Sequence, residues 1–242
     1  MAELAQVSVL AEAPRLREAV RHSALVRLTH WINTITFIGL LLSGIPILLA
    51  HPRLYWGETG AVGGPSLVDL PLPFVLDIPI RGPGRYLHFF FAWLFVLNGS
   101  LYVVFGVVSR YFLKELLPRG THLTWSSIRA VMSNHVHLRR PSDSEAHTYN
   151  VMQRLSYLGV VFVLTPLIIM TGLAMSPSIV SVFPWMVTMF GGQQSARTLH
   201  FAIACLLVAF LFVHIAMVCL AGFWKRTRAM ITGHLLPGKG RS

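Results

Sequence analysis

Long apolar runs alternate with short polar, basic stretches along the chain, and the runs are apolar on every side rather than on one helical face. Four intervals, 28–52, 86–109, 155–196 and 198–224, contain no Asp, Glu, Lys or Arg. A helix needs about 20 residues to cross the hydrocarbon core of a bilayer, so each interval holds a crossing. The spans are expected near 30–50, 86–107, 154–175 and 198–222. The third interval has room for two crossings, but Pro177, Pro184 and the Ser-Pro-Ser turn at 176–178 stop its helix near Met175. Residues 178–190 are thereby left at the surface. The expected fold is an all-α integral membrane protein, a single domain over 1–242 built as a four-transmembrane-helix bundle.

Composition agrees, since 54% hydrophobic and 12% charged residues exclude an ordinary soluble domain. The N-terminal tail, the segment 108–154 and the C-terminal tail carry 4, 7 and 5 of the Lys and Arg residues, against 3 and 1 for the two opposite connections. By the positive-inside rule both termini and the loop 108–153 are cytoplasmic, and the loop 51–85 is periplasmic. The net charge of +11 follows from this topology and from contact with anionic membrane lipid, so a nucleic-acid partner is not needed to explain it. The first twenty residues lack an apolar core, which makes the first span the expected targeting element. Cys205 and Cys219 lie about 21 Å apart on one helix and cannot bridge each other.

Histidine is the chemistry this background does not explain. Of 11 histidines, four fall in or at the spans: His30, His88, His200 and His214. Ionisable side chains in a bilayer are costly and mark function by default. His200 and His214 are fourteen residues apart on the fourth span, a step of about 21 Å that returns to within about 40° of the same face. Chain direction then places His30 at the depth of His214, toward the inner surface, and His88 at the depth of His200, toward the outer one. Two facing imidazoles at each of two depths is the arrangement two bis-imidazole haem irons require.

Small and basic residues extend the pattern. Gly44 shares the face of His30 at the outer depth, and Gly99 and Gly106 share the face of His88 toward the inner depth, where a flat macrocycle needs room. Close helix packing explains glycines equally. Arg27, Arg85 and Arg197 each lie three residues before a histidine and suit a haem propionate, or serve as interfacial anchors.

RLTHWIN at 27–33, RYLH at 85–88, YNVMQRLSY at 149–157, GLAMSP at 172–177 and the two fourth-span histidines resemble the bacterial b561-type cytochromes. That family includes the membrane subunits of nickel hydrogenases and formate dehydrogenases. HPRLYWGETG at 51–60 resembles its thiosulfate-reductase-type cytochrome b subgroup, which accompanies periplasmic molybdopterin oxidoreductases. The resemblance implies a bundle enclosing two haem b groups, with His30 and His214 on the cytoplasmic iron and His88 and His200 on the periplasmic one. It implies a quinone beside Tyr149, Asn150 and Gln153, although the family segment usually carries a glycine where this chain has Val151 and Met152. It further implies a bacterial inner-membrane electron-transfer subunit that connects a periplasmic molybdopterin oxidoreductase with the quinone pool.

Three function classes stay open on the residues: that electron-transfer subunit, a stand-alone haem quinone oxidoreductase acting on a small species such as superoxide, and a non-haem transporter relaying protons. The loop 51–85 is read as a partner dock or a lipid-surface flap. His135 and His137 are read as a solvated loop, 123–132 as a short surface helix capped by Thr124, and Trp56, Trp125 and Trp185 as interfacial aromatics.

Overall fold

Ser23 opens the first helix, its hydroxyl accepting from the Val26 amide at 3.3 Å, and the helix α1 runs over Ala24–Ala50. It begins before the expected span because the helix continues past the apolar run and carries Arg27 in its first turn. The computed structural model describes residues 23–58, 65–70, 81–110, 112, 156–220 and 222–233. A short antiparallel hairpin follows, with β1 at Arg53–Leu54 and β2 at Val68–Asp69. Helix α2, Arg81–Val108, also starts early and so takes Arg85 out of the loop. Pro83 permits this, because an N–H missing from a first turn is one the helix would leave unbonded anyway.

The third crossing, α3, spans Ser156–Ala174. Its segment Val160–Leu164 is π-helical, and the Thr165 amide closes the wide turn on the Val160 carbonyl. Pro166 comes next and has no amide to donate, so the widened turn accommodates a residue a regular helix would reject. The helix stops at Met175, as the prolines require. Two short helices, α4 at Pro177–Val180 and α5 at Trp185–Met189, then cap that end. Val182, Phe183 and Trp185 are exposed there, while Met186 turns inward against Ala174 and Ala196. Helix α6 is Gln193–Leu220, and α7, Phe223–Thr232, leaves it through Gly222 in the left-handed region at φ 96°.

Four of these helices are long and apolar enough to cross a membrane. The molecule is a multi-pass membrane protein with its polarity reversed from a soluble bundle. On α1 the large side chains Leu28, Ile35, Leu42 and Ile45 face out, and the buried residues are Thr29, Thr36, Gly39 and Ser43. Thr29, Thr36 and Ser43 repeat every seven residues, each hydroxyl donating to the carbonyl four positions back at 2.9, 2.9 and 2.6 Å. Such small, internally bonded residues let backbones approach where lipid supplies no hydrophobic drive. A Cβ at Gly39 would lie 2.6 Å from the Phe91 ring, and one at Gly84 would lie 3.3 Å from Pro46, so α1 and α2 interlock.

Close backbone packing runs mainly within two hairpins, α1 with α2 and α3 with α6. The end that carries His88 and His200, called outer after the expected topology, is stitched by the segment 51–58. Arg197 Nη2 donates to the carbonyls of His51 and Arg53, Thr198 to Tyr55 O at 2.6 Å, and the Gly57 carbonyl accepts from Gln194 N at 3.0 Å. Gly57 N in turn donates to Ser195 Oγ at 2.7 Å. Part of the expected loop 51–85 is therefore a cap on the first turn of α6. The expectations for 123–132, for His135 and His137, and for Tyr149, Asn150 and Gln153 fall outside the described residues.

Candidate functional site

α6 delivers two imidazoles to the gap between the hairpins, and each meets one from the other hairpin. The ring centroids of His30 and His214 are 6.4 Å apart, and so are those of His88 and His200. The rings are inclined by 49° in the inner pair and 66° in the outer. An imidazole nitrogen binds a metal at about 2.0–2.1 Å and lies about 1.1 Å from its ring centre, so two imidazoles trans across one ion have centres roughly 6.3 Å apart. Both pairs have that separation.

Among the described residues no group of three or more His, Cys, Asp or Glu converges on a point that could hold an ion. Two imidazoles are too few ligands for a protein-only metal site. They suit an iron whose four equatorial ligands come with it in a porphyrin.

The outer pair is oriented by hydroxyl groups. Ser43 Oγ donates to Gly39 O at 2.6 Å and lies 3.1 Å from His88 Nδ1. Thr171 Oγ1 donates to Leu167 O at 2.8 Å and lies 3.0 Å from His200 Nδ1. With its one proton committed to a carbonyl, each hydroxyl oxygen accepts from Nδ1–H. This network assigns both histidines the tautomer that leaves Nε2 with the lone pair a metal needs.

Each supporting hydroxyl is followed by a glycine against the same ring. A Cβ at Gly44 would sit 3.6 Å from His88 Cε1, and one at Gly172 would sit 3.4 Å from His200 Cε1. The hairpins thus repeat one device, Ser43-Gly44 against Arg85-x-x-His88 and Thr171-Gly172 against Arg197-x-x-His200. The sequence reading missed Ser43, Thr171 and Gly172. The repeated hydroxyl–glycine pair opposite a repeated R-x-L-H was the available signal.

The inner pair has aromatic neighbours among the described residues. Trp31 meets the His30 ring edge-on with centroids 5.4 Å apart. Phe210 stacks on His214 at 5.9 Å and 25°, and Tyr157 approaches it edge-on at 6.4 Å. At the depth of His30, Asn98 ties α2 to α1 by donating to Thr29 O at 2.9 Å and Asn33 Oδ1 at 2.7 Å. Asn98 is only 5% exposed and was not among the residues expected from the sequence, where no motif or spacing singles it out.

The other predicted residues have definite neighbours. A Cβ at Gly44 would meet the His88 ring, one at Gly99 would meet nothing within 4 Å, and one at Gly106 would run into the Phe112 ring. Arg27 Nη1 donates to Ile231 O at 2.6 Å, while its Nε is buried with no acceptor among the described residues. Arg85 lies 5.7 Å over the Phe89 ring, and Arg197 binds the segment 51–53 and Gln194 Oε1, the latter at 3.2 Å.

The family described as prokaryotic cytochrome b561 matches the chain over residues 21–233. The chain is 29% identical over 215 residues, 88% of its length and 96% of the relative's, to the putative protein-methionine-sulfoxide reductase subunit YedZ1 of Azospira oryzae. It is 23% identical over 216 residues, 85% of its length and 81% of the relative's, to the probable Ni/Fe-hydrogenase B-type cytochrome subunit of Cupriavidus necator. No solved structure matches.

Proposed function

The chain belongs to the prokaryotic cytochrome b561 family, and from that premise we propose that it binds two haem b groups, one per imidazole pair, and passes electrons between an oxidoreductase partner and the quinone pool. The observation that carries this reading is the 6.4 Å centroid separation repeated in two pairs at two depths. Haem b held by two imidazoles supplies one-electron exchange at iron with no coordination position left for substrate.

The residues fit such a group beyond their four imidazoles. Ser43 and Thr171 hold the ligating tautomer at the outer pair. The buried Nε of Arg27 offers a charged donor beside the inner pair, as a propionate carboxylate requires. Gly99 leaves open space on α2 toward the inner depth, where a macrocycle edge would lie.

The partner belongs on the periplasmic side of a bacterial inner membrane, where the segment 51–58 and α4–α5 build the outer end. The relatives are named as subunits of a hydrogenase and of a methionine-sulfoxide reductase, which favours an oxidoreductase there. A molybdopterin enzyme is the partner proposed from the likeness of residues 51–60. The quinone is proposed on the cytoplasmic side, beside Tyr149, Asn150 and Gln153, where the side-chain amides of Asn150 and Gln153 can donate to its carbonyl oxygens.

A haem-to-protein ratio measured on the purified chain tests the reading. Two b-type haems per chain are expected, and His200→Ala should keep one of them. A wild-type ratio of one or zero, or loss of both haems in the variant, overturns the assignment.

A further inference from the structure

We infer that the C-terminal helix α7 is a latch that positions the inner imidazole pair through Trp31 and Arg27, an inference that rests on the two-haem reading. Arg27, His30 and Trp31 occupy about one turn of α1. Arg27 and Trp31 lie four residues apart, on one face. Both donate to the last turn of α7, Arg27 Nη1 to Ile231 O at 2.6 Å and Trp31 Nε1 to Met230 O at 3.1 Å. Carbonyls in a last turn lack intrahelical donors, and the helix dipole there favours a cation, so the two side chains complete what α7 leaves open.

Gly233 makes the approach possible. It caps α7 in the left-handed region at φ 88°, and a Cβ there would lie 3.2 Å from the Arg27 guanidinium. A glycine supplies both the turn and the clearance.

The latch reaches the imidazoles from two sides. Trp31, fixed through its indole N–H, presents its ring to His30 at 5.4 Å and 90°. α7 itself leaves through Gly222 from α6, the helix that carries His214. It thus spans the inner ends of the two helices that bear the inner pair, and their relative placement sets the 49° inclination of those rings. Hydroxyls do this work for the outer pair, which α7 does not contact among the described hydrogen bonds and ring contacts.

With haem iron held by each pair, the inclination of the two imidazoles would govern the anisotropy of the ferric low-spin EPR signal, and pairs inclined by 49° and 66° would give two signals to follow. The test uses the full chain in detergent, with EPR and a redox titration on wild type, Trp31→Phe, Gly233→Ala and the double variant. Gly233→Ala strains the latch without touching Trp31 or His30, while Trp31→Phe keeps an aromatic ring and removes the N–H. Each single change should displace the inner signal and its midpoint with the outer signal superimposable on wild type, and the double variant should add nothing further. Loss of the inner haem alone supports the latch equally. Two bound haems with the inner signal unmoved in both single variants overturn it, and so does an equal displacement of both signals. Fewer than two haems in the wild type is a separate result, read before any variant is made, that removes the two-haem reading itself and the latch with it.

Discussion

The outer and inner imidazole pairs reach the same 6.4 Å separation by different means. At the outer pair, Ser43 and Thr171 fix each ring through a directional bond to Nδ1, and Gly44 and Gly172 lie close against the rings. At the inner pair, Trp31, Phe210 and Tyr157 confine the rings by shape. A hydrogen bond sets tautomer and ligand basicity as well as angle, whereas an aromatic wall sets angle alone. The described contacts of the outer pair are directional hydrogen bonds, and those of the inner pair are aromatic ring contacts.

The comparison can be broken outright at its ligands. His88→Ala should remove the outer haem and halve the haem-to-protein ratio, and His30→Ala should do the same for the inner one; optical spectra of the reduced proteins distinguish the survivors. Gly172→Leu comes next, because a side chain at that position begins 3.4 Å from the His200 ring. It should deplete the outer haem while the inner band persists.

Milder changes sharpen the contrast. Ser43→Ala removes the hydroxyl acceptor of the His88 Nδ1–H, which retains the Leu40 carbonyl, so metal affinity should fall by roughly tenfold. The less basic imidazole stabilises ferric iron less, so the outer midpoint should rise and the inner one should hold in a redox titration. Thr171→Val should act in the same direction through His200. Phe210→Leu keeps apolar volume but removes the stacked ring from His214, at a cost of about 0.5–1.5 kcal/mol. Thermal release of the inner haem should occur at slightly lower temperature, with the outer one unaffected. The smallest effect is expected from Arg197→Gln, which loosens the segment 51–53 and should speed its cleavage by protease without changing either haem.

Much of this was legible along the chain because a membrane imposes coarse, additive requirements. Charge-free runs located the four crossings, and the pairing of His30 with His214 and His88 with His200 followed from helical rise and chain direction. The helix starts were less legible. Ser23 caps the first helix and Arg81 begins the second outside the apolar runs, where hydropathy carries no signal. The three arginines illustrate the harder limit. All precede histidines by three residues, yet Arg27 caps α7, Arg85 lies over Phe89 and Arg197 clamps the segment 51–53. A long flexible side chain takes the acceptors that distant segments bring to it, and its own sequence neighbours do not name them.

The amino-acid order by itself determined that this chain crosses a bilayer four times and carries imidazoles at two depths, since bilayer thickness and helical rise are constants that act residue by residue. Tertiary structure alone decided what holds those imidazoles: hydroxyls of α1 and α3 at the outer pair, and aromatic rings with the reach of α7 at the inner. Those contacts join residues from 29 to 204 positions apart, except Trp31 and Phe210 within their own helices, and their angles exist only once the hairpins have packed.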